Sequence, residues 1–225
     1  MTADPRPTVV MLPQVRWDAH LPALPRDPGL HRPPHPLRLL VQAPVTVHTA
    51  PKGPAVARLP PESWPGLRTW VPVVDAHPGW VRVLLPSLPD GASGWVELCG
   101  QVAAVPHHGF LVADRRTRTL TAHHGPNRLS WPCGVGKATT PTPRGRTYVL
   151  GEVRPDTGLV RHALVLASHQ STHLDHGAGL SAVGLHTWPT ASWGLAGSDG
   201  SVLVPPEAMP VLTRIAPPGT AVLIH

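Results

Sequence analysis

The sequence is poor in several residue types, and each shortage narrows what the chain can be. Lysine is confined to Lys52 and Lys137, asparagine to Asn127 and isoleucine to Ile215 and Ile224, while phenylalanine and tyrosine occur once each. This pattern has the look of a G+C-rich coding bias, so part of the arginine excess is mutational. No stretch of 18 apolar residues exists, which excludes a membrane-spanning helix. Cys99 and Cys133 are too few for a disulfide framework and do not form a C-x-x-C pair. They read as two buried free thiols, with a single bridge as the alternative. The N-terminal Val9-Val10-Met11-Leu12 run is too short for a signal peptide and is followed by Pro13. No export signal is therefore expected in the chain as written.

Proline and glycine are abundant. With 31 Pro and 21 Gly in 225 residues, long helices are excluded, because proline lacks the amide donor and clashes with the preceding turn. Charged residues make up 14% and hydrophobic residues 41%, a balance that suits a folded chain rather than a disordered one. Eight Trp supply most of the aromatic surface. The net charge of +6 would favour a polyanion such as a nucleic acid, an anionic membrane or an acidic wall polymer. No nucleic-acid motif and no basic stripe interleaved with aromatics is present, so nucleic acid is not expected.

Residues 1–36 are rich in proline and show no sustained periodicity, which predicts a disordered leader with Trp17 as a loop residue. From Leu37 the pattern changes to short β-prone runs, among them Leu39-Leu40-Val41, Val45-Thr46-Val47, Ala55-Val56-Ala57, Trp80-Val81-Arg82-Val83 and Gly94-Trp95-Val96. They are punctuated by Pro51-Lys52-Gly53 and Pro89-Asp90-Gly91, the spacing of a small barrel. The two Gly-Trp-Val units resemble bacterial SH3-like modules of cell-wall proteins, over residues 37–100. A second strand set spans 105–225. It opens with a hairpin around Arg115-Arg116 and includes strands at 146–150, 162–166, 182–186 and 221–224. One helix is expected near 206–215, with Pro210 forcing a late start or a bend.

The second set carries Gly136-Lys137 … Thr140-Pro141-Thr142-Pro143-Arg144-Gly145, then a strand ending in His186, then Ser198-Asp199-Gly200-Ser201 before the helix, then Gly219-Thr220-Ala221-Val222-Leu223-Ile224. This order resembles the YkuD-type L,D-transpeptidases. The resemblance implies an all-β protein, an SH3-like barrel followed by a β-sandwich with one short helix. It also implies work outside the cytoplasmic membrane on peptidoglycan stem peptides, with no cofactor. Family chemistry uses a cysteine thiolate, a histidine base and an oxyanion hole to form a thioester that a second stem resolves. His186 matches the histidine, and the turn Ser198, Asp199, Gly200 leads to Ser201 in the cysteine position. Asp199 replaces the motif histidine, Leu203 the arginine and Thr187 the glycine after His186.

Serine lacks the readily formed anion of cysteine, whose free pKa is about 8.5, and needs an aligned general base. A Ser201–His186 pair with Asp199 as orienter would form a serine-type triad, but Asp199 is poorly placed for that from the same turn. Three functions follow: a wall-binding or regulatory protein with a decayed centre, an active acyltransferase working through Ser201, and an intracellular binding protein that reuses both folds. A metal site is the alternative reading of His169, His173, Asp175 and His176, which lie within eight residues. No H-E-x-x-H accompanies them, so a solvated loop and no metal are expected. His107-His108 and His123-His124 are read as hairpin-edge residues on the same argument.

Overall fold

The computed structural model describes residues 11–154, 160–170, 181–190 and 192–225. The fold is all-β with one short helix, as expected. The first strand set comprises β1 (Leu37–Val41), β2 (Val45–His48), β3 (Ala55–Leu59), β4 (Glu62–Trp64), β5 (Leu67–Arg68), β6 (Trp70–His77), β7 (Trp80–Leu84), β8 (Ser93–Glu97) and β9 (Val102–Pro106). Seven of these form one sheet in the order β3-β2-β8-β7-β6-β1-β9, with β4 and β5 as a separate pair. Pairing of β9 with β1, Leu37 opposite Pro106, carries this sheet six residues past the expected limit of 100.

The second set comprises β10 (Gly109–Asp114), β11 (Thr119–His124), β12 (Asn127–Pro132), β13 (Val135–Gly136), β14 (Gly145–Val153), β15 (Ala163–Gln170), β16 (Ser181–His186), β17 (Ala196–Ser198), β18 (Val202–Leu203), α1 (Met209–Ile215) and β19 (Ala221–Ile224). Eight strands make a sheet ordered β12-β11-β10-β19-β14-β15-β16-β18. The β10–β11 hairpin turns where Asp114 accepts the amides of Arg116 and Thr117. Helix α1 starts at Met209 with Pro210 in its first turn, where the missing amide costs no bond. Met209, Leu212 and Ile215 form its buried face.

Alternation along β14 and β15 places their side chains in two cores. Tyr148, Leu150, Val165 and Ala167 pack with the first sheet. Val149, Leu164 and Leu166 pack with α1 and the β10–β11 hairpin. Every residue of β15 is buried, which accounts for its nearly unbroken apolar run.

The disordered-leader expectation is corrected for residues 11–36. This segment lies across the first sheet as a strap, and Val15, Trp17 and Leu24 are buried in the first core. Isolated bridges pair Gln14 with Arg58, His20 with Leu88 and Arg26 with Ala92. Trp17 stacks on His169 with ring centroids 4.6 Å apart. Asp27 forms a buried two-point ion pair with Arg146 of β14, at 2.8 Å to Nε and 2.7 Å to Nη2. The bridging works because the prolines need no donor, while amides such as those of Val15, Trp17, Leu21 and Asp27 each find a single partner along the sheet edge and loops. Residues 1–10 lie outside the described residues.

Two smaller expectations also change. Cys133 is buried and free, whereas Cys99 is free but only half-buried. His169 is a buried residue of β15 rather than part of a solvated loop. Its Nδ1 donates to Asp90 (2.5 Å) and its Nε2 to the Trp17 carbonyl (2.6 Å). His173, Asp175 and His176 lie outside the described residues.

Candidate active site

The site lies where β16 ends. Parallel pairing of β16 with β18 sets Leu185 opposite Val202 and His186 opposite Leu203. Ser201, just upstream of β18, therefore falls beside Gly184, whose amide donates to Ser201 Oγ at 3.4 Å. A Cβ on Gly184 would stand 3.4 Å from both His186 Nε2 and Ser201 Oγ. Those two atoms are thus at most twice that distance apart, yet no hydrogen bond joins them. His186 Nδ1 donates to the Thr187 carbonyl at 2.7 Å, which leaves the lone pair of the neutral ring on Nε2. Burial lowers the His186 pKa, and the carbonyl bond only partly offsets it. The ring is a neutral base at pH 7.

The turn before Ser201 is closed by its own side chains. Ser198 Oγ donates to the Ser201 carbonyl (2.6 Å) and accepts the Gly200 amide (3.2 Å). The Gly200 amide is therefore already engaged and is not a free oxyanion donor. Gly200 has φ +103, and the Gln170 carboxamide fills the space that a Cβ would occupy. No other residue fits there without displacing that amide.

The Gly136-to-Thr142 loop supports the turn from below. Lys137 N–H and Thr140 Oγ1 both donate to the Ser198 carbonyl, at 2.9 and 3.2 Å. Lys137 Nζ pairs with Asp199 at 2.6 Å. A Cβ on Gly136 would meet Thr140 O at 2.1 Å, so the glycine of this motif is required for the loop to close. Gly134 and Leu203 exchange backbone hydrogen bonds of 2.7 and 2.9 Å. Burial, and then the Asp114 charge, push the neighbouring Cys133 thiol up to about 12, so it cannot supply a thiolate at neutral pH.

Two cavities meet at His186, Trp188 and Ser201. One, of about 330 Å³, is walled by Val160, Val165 and Val183. The other, of about 210 Å³, is bounded by Ser192, Asp199 and Leu203. Together they can hold an extended chain with an apolar part and a polar part around one reactive centre. The structure brings His186, Ser198, Asp199, Gly200 and Ser201 together. Gly184, Gln170 and Trp188 also build the centre and were not singled out in the sequence, since none carries a motif of its own. Among the described residues no group of three His, Cys, Asp or Glu could hold a metal ion, and no helix is long and apolar enough to cross a membrane.

Residues 108–224 match the family model of the L,D-transpeptidase catalytic domain, YkuD. The chain belongs to the YkuD L,D-transpeptidase family. Solved L,D-transpeptidases are among the proteins of similar structure. One from Mycobacterium smegmatis is 17% identical, with a TM-score of 0.45, covering 68% of this chain and 93% of its own. L,D-transpeptidase 3 from Mycobacterium tuberculosis is 14% identical, with a TM-score of 0.47, covering 83% and 95%. The catalytic domain of the Enterococcus faecium L,D-transpeptidase is 23% identical, with a TM-score of 0.38, covering 52% and 96%. No curated protein matches the chain. The family's L,D-transpeptidase domain thus covers the second strand set, and the first sheet with its strap lies outside the matched residues.

Proposed function

We propose that this YkuD-family protein binds peptidoglycan stem peptides in the cleft at His186, and acts in binding or regulation because its centre has lost the nucleophile. The observation that carries this reading is the Ser201 hydroxyl bonded to the Gly184 amide and not to His186, at the position where the motif resemblance puts the family's cysteine. A serine needs its proton taken by an aligned base during attack. His186 is oriented by a backbone carbonyl, Asp199 is drawn to Lys137, and the Gly200 amide is spent on Ser198. The first sheet, in this reading, is an SH3-like module that adds wall contacts.

An active acyltransferase working through Ser201 is the second reading, favoured by His186 Nε2 and Ser201 Oγ both flanking Gly184, each 3.4 Å from where its Cβ would stand. Intact mass spectrometry with a carbapenem, a mimic of the family's donor, separates the two. Wild-type protein is expected to form no stable adduct. Ser201→Cys is expected to acylate slowly, and the combination of Ser201→Cys, Asp199→His and Leu203→Arg faster. Stoichiometric acylation of wild type, abolished by Ser201→Ala, would establish the serine enzyme instead. Pull-down on purified sacculi at low salt tests the binding half of the proposal. Absence of binding there would favour an intracellular binding protein that reuses the fold.

A further inference from the structure

Strand β15 reaches the candidate site through an irregularity in its pairing. Val165 lies opposite Gly184 and His169 opposite Ala182, so four steps along β15 are set against two along β16. A bulge of this kind bends its strand and re-aims the side chains beyond it. Pairing resumes at His169, and the next residue, Gln170, ends the strand. Gln170 is buried, and its carboxamide occupies the space at Gly200 where a Cβ would stand. The far limb of the bulge thus aims a side chain at the turn that carries Ser201. The near limb ends opposite Gly184, whose amide donates to Ser201 Oγ.

A bulge disrupts the ladder locally, so other contacts must fix where the strand goes next. The strap and the loop before β8 supply them. The His169 amide donates to both carboxylate oxygens of Asp90, at 3.2 and 3.1 Å. The His169 ring donates to Asp90 from Nδ1 and to the Trp17 carbonyl from Nε2, and it stacks on the Trp17 indole. Both partners lie outside the second strand set. Trp17 is held in turn by the first set: its amide donates to the Ser63 carbonyl, and its indole meets that of Trp64 edge-on with centroids 4.6 Å apart. Contacts therefore run without a break from Trp64 through Trp17 to His169, and across one peptide link to Gln170 and Gly200.

We propose that Trp17, His169 and Gln170 are positioning residues for the candidate site: the strap fixes the return of β15 after its bulge, and β15 sets the Gln170 carboxamide against Gly200 to hold the Ser201 turn closed. The strap, outside the residues that match the family, thereby takes part in the site; its effect on binding rests on the reading of the His186 cleft as the stem-peptide site. Amide hydrogen exchange of the full chain tests the positioning without any ligand. The Gly200 amide, bonded to Ser198 Oγ, reports opening of the turn, and the amides of the β10–β11 hairpin report any general loss of stability. Gln170→Ala and Trp17→Ala are each expected to speed Gly200 exchange about tenfold or more relative to the hairpin, the size of a coupling between groups in contact. Trp17→Phe, which keeps a ring over His169, should return it towards wild type. Asp90→Asn alters a partly exposed side chain and reads the same link should loss of the indole prevent folding. Gly200 exchange unchanged in Gln170→Ala, or changed no more than the hairpin in the Trp17→Ala and Asp90→Asn variants, would overturn the proposal. Binding is read separately, from carbapenem acylation of Ser201→Cys by mass spectrometry, which Gln170→Ala and Trp17→Ala should slow about tenfold. Acylation slowed by neither variant would overturn the proposal too. If Ser201→Cys itself stays unacylated, the cleft reading fails, and the exchange result still decides the positioning.

Discussion

His107 and His186 show how single side chains set the pH response of the fold. His107 Nε2 donates to Thr220 Oγ1 at 2.9 Å, while the Thr220 hydroxyl donates to the Pro217 carbonyl. Burial, then the charge of Arg38 and the neighbouring His124 and His108, lower the His107 pKa to about 4. His186 is lowered too, by burial. An unfolded histidine takes up its proton near pH 6.5, whereas these remain neutral in the native state. The unfolded chain therefore binds more protons below that pH, and stability falls as pH drops. Full stability is expected above about pH 6.5, with progressive loss towards pH 4. Urea midpoints at a series of pH values would check this. His107→Gln, which keeps a donor for Thr220 but does not titrate, should reduce the loss. At this scale the sequence was partly legible. His186 and Ser201, singled out by their spacing, come side by side because β16 and β18 pair in parallel. The contributions of Gln170 and Gly184 were hidden, since packing against a turn leaves no periodic trace.

Among the elements, α1 has only seven residues, too few to be stable on propensity alone. It persists because Leu212, fully buried, packs into the second core with Val149, Leu164 and Leu166. Leu212→Ala should destabilise the protein by about 2–5 kcal/mol, through lost burial and the cavity left behind. Chemical denaturation would measure it, and a cost below about 1 kcal/mol would show that the helix is not anchored there. Strands were the most readable elements. Short β-prone runs punctuated by turn formers place β1–β3, β7 and β8 to within two residues, because β-branched side chains and turn formers act locally. The short β17 and β18 could not be read this way. They are held by Gly134, Gly136 and Lys137 from a distant loop, and their residues carry no alternation of their own.

For the whole molecule, the strap is one of the links between the two strand sets, beside the shared core that Tyr148, Leu150 and Val165 enter. Asp27 and Arg146 are almost completely buried, with side-chain exposures of 0% and 2%. Asp27→Ala would leave the buried guanidinium without its carboxylate, at a cost of about 3–5 kcal/mol. A drop in unfolding midpoint of that size, together with early proteolysis near residues 11–36, is the expected result; unchanged resistance would mean that the ion pair does not fasten the strap. The strap could not be read from sequence for a physical reason. It is buried one residue at a time, through Val15, Trp17, Leu24 and Asp27, between prolines that mimic an unstructured tail. Periodicity detects elements that present a face, and this segment presents isolated pegs.

That ion pair also fixes an order of events in time. The partner of Asp27 lies 119 residues further along, so at about 5–20 residues per second a ribosome delivers it roughly 6–24 s later. During that interval the strap can rest its apolar pegs on the first sheet, but its carboxylate stays in water until β14 emerges. The strap is thus synthesised before its partner strand and locked only after that strand has emerged. A nascent chain stalled short of Arg146 would keep residues 11–36 open to proteases and chaperones.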